Sequence, residues 1–142
     1  MYLLDTNVIS ELRRTYRRQG NYQVVSWASS VPVEELYLSV ITVQELEIGV
    51  LLIERRDQLQ GAGLRQWLNE KVLGKFADRI LPVDQAVVLS SARLHVPDPR
   101  PIRDAFIAAT AHVHDMTLVT RNISDFERTG VSLLNPWEHE SA

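Results

Sequence analysis

Residues 1–12, MYLLDTNVISEL, contain the transition on which the interpretation of the whole chain depends. The run Tyr2–Asp5 is apolar until it ends in an acid, as a short buried strand would be. Thr6-Asn7 then offers capping chemistry for a helix through Val8, Ile9 and Leu12. A buried strand that passes directly into a helix predicts an α/β protein with Asp5 at the junction.

The same alternation continues along the chain. Further strands are predicted at Leu36–Val40, Met116–Thr120 and Val131–Leu134, with a brief extended piece at Ile80–Val83. Helices are predicted over Tyr22–Ser29, from Thr42 to Arg55-Arg56, over Leu59–Ala77, from an Asp84 cap to Leu94, and from Pro101 through Ala111. Such alternation predicts a twisted, mainly parallel sheet flanked by helices, in one domain over residues 1–142.

Two local patterns refine this layout. Thr42-Val-Gln-Glu45 has the S/T-x-x-E form of a capping box, which places the helix start at Thr42. The stretch RRTYRRQGN, residues 13–21, is predicted to be a loop. Its four arginines make it the most basic loop, with Tyr16 available to stack on a nucleic-acid base, and an ordinary solvated loop is the alternative.

Composition excludes several classes of protein. The 142 residues include no Cys, which excludes a disulfide scaffold, a thiolate metal site and a cysteine nucleophile. Fifteen basic and 18 acidic residues give a net charge of −3, so binding nucleic acid by bulk charge is disfavoured while a nuclease with an acidic metal site is not. No apolar run approaches the roughly 18 residues of a membrane span, and the N-terminus lacks a basic leader. We therefore expect a cytoplasmic protein with no membrane partner.

Acidic and amide side chains recur where strands end or helices begin. They are Asp5, Glu45, Asp104, Asn122 and Asp125. Ligands of open parallel sheets bind outside the carboxyl ends of the strands, so these residues could meet in one crevice. Clustered carboxylates repel one another unless a cation compensates them, and oxygen ligands favour Mg²⁺ or Mn²⁺. The pattern predicts metal-assisted hydrolysis of a phosphodiester.

Each acid also has a structural interpretation. Glu45 could be the partner in the capping box, Asp104 could answer the helix dipole after Pro101, and Asp125 could cap the turn that begins at Asn122. Asp5 is the residue that local structure explains least. The set is more informative than any single member.

Four segments together resemble one known family. They are MYLLDTNVISEL at residue 1, SVITVQELEIG at residue 39, RDAFIAATAH at residue 103 and LVTRNISDF at residue 118, followed by a GVSLLNPW tail at residue 130. In this order they are similar to PIN-domain ribonucleases, above all to the VapC-type toxins of bacterial toxin–antitoxin pairs and the related FitB-type proteins. The resemblance runs from residue 1 to about Trp137 and implies the three-layer PIN-like sandwich.

The resemblance implies roles for individual residues. Asp5 and Asp104 match the carboxylates that hold a catalytic Mg²⁺, with Mn²⁺ as a second possibility. Glu45 matches the third acid, which binds through water or orients the attacking water. The fourth acid of many relatives is replaced here by Asn122, and Asp125 is the carboxylate that could substitute for it. Thr6 and Thr120 match hydroxyl positions beside the cluster.

The resemblance also implies partners and two alternatives. It implies a Mg²⁺-dependent endoribonuclease that acts on RNA as the toxin of a type II pair, held by a cognate antitoxin and assembled as a homodimer. Contacts with the antitoxin are expected near Val8, Leu12 and Leu51. The alternatives are a FitB-type DNA-binding regulatory partner and a degenerate RNA-binding module. Trp67 and Trp137 are expected to be core residues.

Overall fold

A five-stranded parallel sheet forms the centre of the protein. The structure, a computed structural model, describes residues 1–15 and 19–140. The strands are β1 (Tyr2–Leu4), β2 (Leu36–Ser39), β3 (Ile80–Leu81), β4 (Thr117–Val119) and β5 (Leu133–Leu134). Their order is β3-β2-β1-β4-β5 and every neighbouring pair is parallel. The predicted strands are confirmed, each shorter at one or both ends.

Helices occupy both faces of this sheet. Within the described residues they are α1 (Thr6–Thr15), α2 (Tyr22–Ser29), α3 (Val40–Arg56), α4 (Gln58–Trp67), α5 (Gln85–Leu94) and α6 (Ile102–Val113). A π-helix at Leu68–Gly74 continues from α4, and single 3-10 turns lie at Val33–Glu35, Ile123–Asp125 and Pro136–Glu138. None of the helices in the described ranges is long and apolar enough to cross a membrane.

Two neighbouring residues of β1 show why the architecture has three layers. Side chains alternate across a strand, so Leu3 and Leu4 point to opposite faces of the sheet. Leu4 packs in a cluster with Val8 of α1 and Leu46 of α3. Leu3 packs in a second cluster with Ile107 of α6. Both leucines are fully buried, so the central strand lies between two separate cores, as the predicted sandwich requires.

The capping-box prediction at Thr42 is wrong. Helix α3 begins two residues earlier, at Val40, because the Ser39 side chain accepts the backbone N–H of Ile41 at 3.0 Å. Thr42 is therefore inside the helix, with a buried hydroxyl that has no hydrogen-bond partner among the described residues. Glu45 consequently lies in the second turn, beyond the reach of a capping interaction.

Two other predicted boundaries are also corrected. The first residues of the loop expected from Arg13 belong to α1, which extends to Thr15; Tyr16, Arg17 and Arg18 lie outside the described residues. The helix expected over Leu59–Ala77 is two elements, α4 and the π-helix at Leu68–Gly74. Apolar spacing does not separate them, because burial continues across the junction through Leu68 and Val72.

A glycine accounts for the close pairing of α3 with α4. A Cβ atom at Gly61 would lie 2.6 Å from the Cα of Glu54, a distance that real side chains do not show. The two helices are also joined by Arg65, which contacts Glu47 at 2.6 Å and Glu54 at 3.0 Å. This packing fixes α3, the helix that carries Glu45.

Candidate active site

The predicted site residues converge at the carboxyl end of the sheet. Asp5 directly follows β1, Glu45 projects from α3, and Asp104 lies in the first turn of α6. All three line one cavity of about 540 Å³. Its wall is completed by Thr6, Asn7, Ser10, Glu11, Arg14, Arg121, Asn122 and Trp137. Parallel strands bring their carboxyl ends to one edge, which is why residues a hundred positions apart meet.

Asp5 is held more tightly than the other acids. It is 7% exposed, and its Oδ1 accepts the backbone N–H of Thr6 at 2.8 Å. Its Oδ2 accepts the hydroxyl of Thr120 at 2.9 Å and the amide of Asn7 at 3.3 Å. Three donors therefore fix both carboxylate oxygens, and the Thr120 bond ties the end of β1 to the end of β4.

Glu45 is held by one strong and one weak contact. Its Oε1 accepts the hydroxyl of Thr6 at 2.7 Å, which links α3 to the start of α1. Its Oε2 lies 3.8 Å from a guanidinium nitrogen of Arg103, and both of these side chains are partly exposed. Among the described residues, the second oxygen therefore has no hydrogen-bond donor as close as Thr6 is to the first.

Burial and repulsion make a negative charge costly for two of these acids. The pKa of Asp5 is raised, chiefly by burial and also by the charge of Glu45, against the lowering effect of its hydrogen bonds. The pKa of Asp104 is raised by burial first, and then by the charges of Asp5, Asp125 and Glu45, against the attraction of Arg103. A cation in the cavity would reverse this imbalance.

Asn122 and Asp125 occupy different places. Asn122 lines the cavity, and its backbone N–H donates to the hydroxyl of Thr120 at 3.0 Å. Asp125 ends the 3-10 turn and is not among the cavity-lining residues, and its N–H donates to the carbonyl of Asn122. Its charge nevertheless acts on Asp104. The structure therefore brings Asp125 near the site without bringing it into the wall.

The donor chemistry fits a hard divalent cation. Within residues 1–15 and 19–140, no group of three or more His, Asp or Glu side chains is arranged to enclose an ion. Mg²⁺ usually keeps several waters and needs only one or two carboxylates, so such a cage is not required. Asp5 and Asp104 are the two acids whose ionisation the surroundings disfavour, and a cation would relieve that cost.

Sequence reasoning missed part of the cavity wall. Trp137, expected in the core, packs partly against it but also lines the cavity, where it contacts the guanidinium of Arg121. Asn7 was interpreted only as a cap, although its amide contacts Asp5. The Asp5-Thr6-Asn7 and Thr120-Arg121-Asn122 runs could have identified Asn7 and Arg121 as residues of the wall. The position of Trp137 depends on how the tail packs.

The three residues near which partner contacts are predicted differ in accessibility. Val8 is fully buried in the core. Leu12 is half-buried, and Leu51 is 52% exposed. Of the predicted set, Leu51 is the most accessible side chain.

Comparison with known proteins identifies relatives across the chain. The family described as "PIN domain" matches residues 2–131. Toxin FitB from Neisseria gonorrhoeae is 41% identical, with 96% of this chain and 99% of that protein covered. VapC ribonuclease Y4jK from Sinorhizobium fredii is 37% identical, with 97% and 99% covered.

Solved structures of similar proteins also match this chain. The crystal structure of FitAcB from Neisseria gonorrhoeae matches with a TM-score of 0.87 and 39% identity, covering 97% of this chain and 99% of that chain. A structure of FitAB bound to an IR36 DNA fragment matches with a TM-score of 0.87 and 38% identity, covering 99% of each. The backbone and the sequence therefore point to the same relatives.

Proposed function

Because this chain belongs to the PIN-domain family, with Toxin FitB and a VapC ribonuclease among its relatives, we propose that it is a Mg²⁺-dependent endoribonuclease and the toxin of a toxin–antitoxin pair. The observation that carries the proposal is the convergence of Asp5, Glu45 and Asp104, from three separate elements, in one cavity. Electrostatic repulsion among them supports the binding of a cation. The proposed substrate is RNA.

Asp5 and Asp104 are the proposed metal ligands, with Mn²⁺ as an alternative ion. Asp5 would keep its carboxylate orientation through Thr120, Asn7 and the Thr6 backbone. When bound, Mg²⁺ would supply Lewis-acid stabilisation of the phosphodiester and lower the pKa of a water molecule. Glu45 would orient the attacking water and accept its proton at Oε2, whose contact within the described part of the chain is the 3.8 Å approach of Arg103.

Asn122 and Asp125 are the two residues proposed for the position of the fourth acid. Asn122 in the cavity wall can hydrogen-bond a water or a phosphate oxygen without adding charge. Asp125 would act on the site through its field at Asp104. Asp125→Ala is therefore expected to reduce the rate less than Asp104→Ala.

Cleavage of RNA by the purified protein, with and without Mg²⁺, tests the proposal. Asp104→Asn should abolish Mg²⁺-dependent cleavage and leave the fold intact. Asp98→Asn, at an exposed position in the loop before α6, makes the same chemical change away from the cavity and should cleave like the wild type. Cleavage that persists in Asp104→Asn would refute the assignment of the site.

A cognate antitoxin is the proposed protein partner, and a homodimer is the proposed assembly. The FitAcB and FitAB structures among the structural relatives support the partner. Leu51→Arg changes an exposed apolar residue of α3 and should weaken capture of the antitoxin. We propose that residues 1–142 act as one PIN domain in the cytoplasm.

A FitB-type role in DNA binding is the second candidate function. The DNA-bound FitAB structure favours it, with 38% identity to this chain. In that role the chain would bind DNA together with its partner. A degenerate RNA-binding module is a weaker candidate, motivated by Asn122. Metal-dependent cleavage of RNA would distinguish the enzyme from the RNA-binding module. A change in the electrophoretic mobility of DNA that requires the partner would identify the regulator.

A further inference from the structure

Two cationic side chains line the acidic cavity, and they differ in what they contact. Arg14 lies 3.5 Å from Glu11, an acid that lines the same cavity. Arg121 has no ion-pair partner among the acids of residues 1–15 and 19–140. Its guanidinium carbon lies 5.2 Å from the ring centroid of Trp137. Arg121 is thus a cation in the site whose charge is still available to an anion.

The backbone of Arg121 is fixed to the catalytic end of the sheet. Its N–H donates to Oδ1 of Asn7 at 3.2 Å, and the amide of Asn7 donates to Asp5. The preceding residue, Thr120, donates directly to Asp5 at 2.9 Å. A group bound by Arg121 would therefore lie beside a group bound at Asp5.

Trp137 is a firm surface for the guanidinium. Its backbone N–H donates to the side chain of Asn135 at 3.0 Å, and the adjoining Pro136 is buried. The half-buried indole packs against the core cluster that contains Trp27. An aromatic face attracts a guanidinium and orients its plane, while the N–H groups at the rim remain free to bind oxygen atoms.

From this arrangement we propose that Arg121 binds a phosphate of the RNA chain next to the phosphodiester being cleaved, and that Trp137 positions the guanidinium. The inference rests on the proposed ribonuclease function. A protein of net charge −3 with acids in its site repels a polyanion, so a cation near the metal ligands is needed to hold the strand. Arginine suits this task because its planar fork can donate two parallel hydrogen bonds to phosphate.

Salt dependence of RNA binding measures such a contact directly. A single-stranded RNA oligonucleotide is titrated in EDTA, which prevents cleavage, and the dissociation constant is followed across a range of KCl concentrations. Loss of one phosphate contact should lower the slope of log K against log salt by about 0.7. Arg121→Ala should show this change and bind about tenfold more weakly.

Matched variants separate a phosphate contact from loss of charge or loss of structure. Arg56→Ala removes the same charge from the last turn of α3, about 24 Å along that helix from its start at the site, and should leave both slope and affinity unchanged. Trp137→Leu should weaken binding, whereas Trp137→Phe should restore most of it. If Trp137 acts through Arg121, the Arg121→Ala/Trp137→Leu double variant should bind no more weakly than Arg121→Ala.

The outcomes are distinct. Wild-type slope and affinity in Arg121→Ala would overturn the phosphate contact, and additive effects in the double variant would overturn the positioning role of Trp137. Melting temperatures check each fold, with Trp137→Phe replacing Trp137→Leu in the cycle if the latter does not fold. A wild-type protein that neither binds nor cleaves RNA would refute the proposed function itself. Wild-type cleavage together with an unaffected Arg121→Ala would refute this inference alone.

Discussion

Replacing Thr120 by valine tests how strongly the site depends on one buried hydroxyl. Thr120 is fully buried, and its Oγ1 donates to Asp5 at 2.9 Å while accepting the backbone N–H of Asn122 at 3.0 Å. Valine keeps the branched shape and removes both of these bonds, together with a longer one that Oγ1 accepts from the amide of Asn7 at 3.4 Å. A hydrogen bond to a charged group contributes about 1.5–3 kcal/mol, and Asp5 retains two other donors. We expect Thr120→Val to lose about 2 kcal/mol at neutral pH.

The assay is thermal unfolding in metal-free buffer at two pH values. For a chain of this length, about 2 kcal/mol corresponds to a fall of roughly 6–8 °C in melting temperature. The hydrogen bond stabilises the ionised carboxylate, and its loss raises the pKa of Asp5 further. The loss of stability should therefore be largest at pH 7 and should shrink as the pH falls through the raised pKa of Asp5 and the carboxylate gains a proton in both proteins.

Thr110→Val is the matched control. Thr110 is equally buried, but its hydroxyl donates at 2.7 Å to the carbonyl of Phe106, four residues earlier in the same helix. Such a bond adds little to helix stability, so this variant should change the melting temperature slightly and independently of pH. Equal losses in the two variants, or a loss in Thr120→Val that does not change with pH, would refute the reasoning.

Three further predictions follow from the same structure. Burial and like charges raise the pKa of Asp104, so its ionisation costs stability at neutral pH. Without metal, Asp104→Asn should therefore melt at a higher temperature than the wild type at pH 7, and this gain should vanish near pH 4. Gly61→Ala should cost about 1–3 kcal/mol in chemical denaturation because its Cβ meets the Glu54 backbone, whereas Gly63→Ala, in open space, should stabilise by up to about 1 kcal/mol. Thr42→Val removes a buried hydroxyl that has no partner in the described part of the chain and should stabilise by about 1 kcal/mol in the same assay.

Local sequence patterns predicted the parts of the fold that local physics determines. The apolar run before Asp5 forms β1 because both of its faces are buried. Asp5 directly follows this strand in the sequence, so its position at the strand end does not depend on how the sheet packs. The cap at Thr42 failed because Ser39 offers the same chemistry three residues earlier. Two equivalent caps in one stretch cannot be ranked without knowing where the strand ends.

The cavity wall depends on distant parts of the chain and was harder to predict. Trp137 is apolar by composition, so pattern alone places it in the core, and only the packing of the tail brings part of it into the cavity. The contact between Asn7 and Arg121 joins residues 114 positions apart. No local signal gives such a pairing, although the parallel sheet makes it possible.

The bond between Asp5 and Thr120 spans 115 residues, and this separation sets when the site can exist during synthesis. Asp5 is synthesised well before β4, and Trp137 follows β4 along the chain. At about 5–20 residues per second, the chain carries its first acid for several seconds before the second half of the pocket is available. Until then the nascent polypeptide has Asp5 and Glu45 without their arrangement, so the finished site forms only after Thr120 and Trp137 have been made.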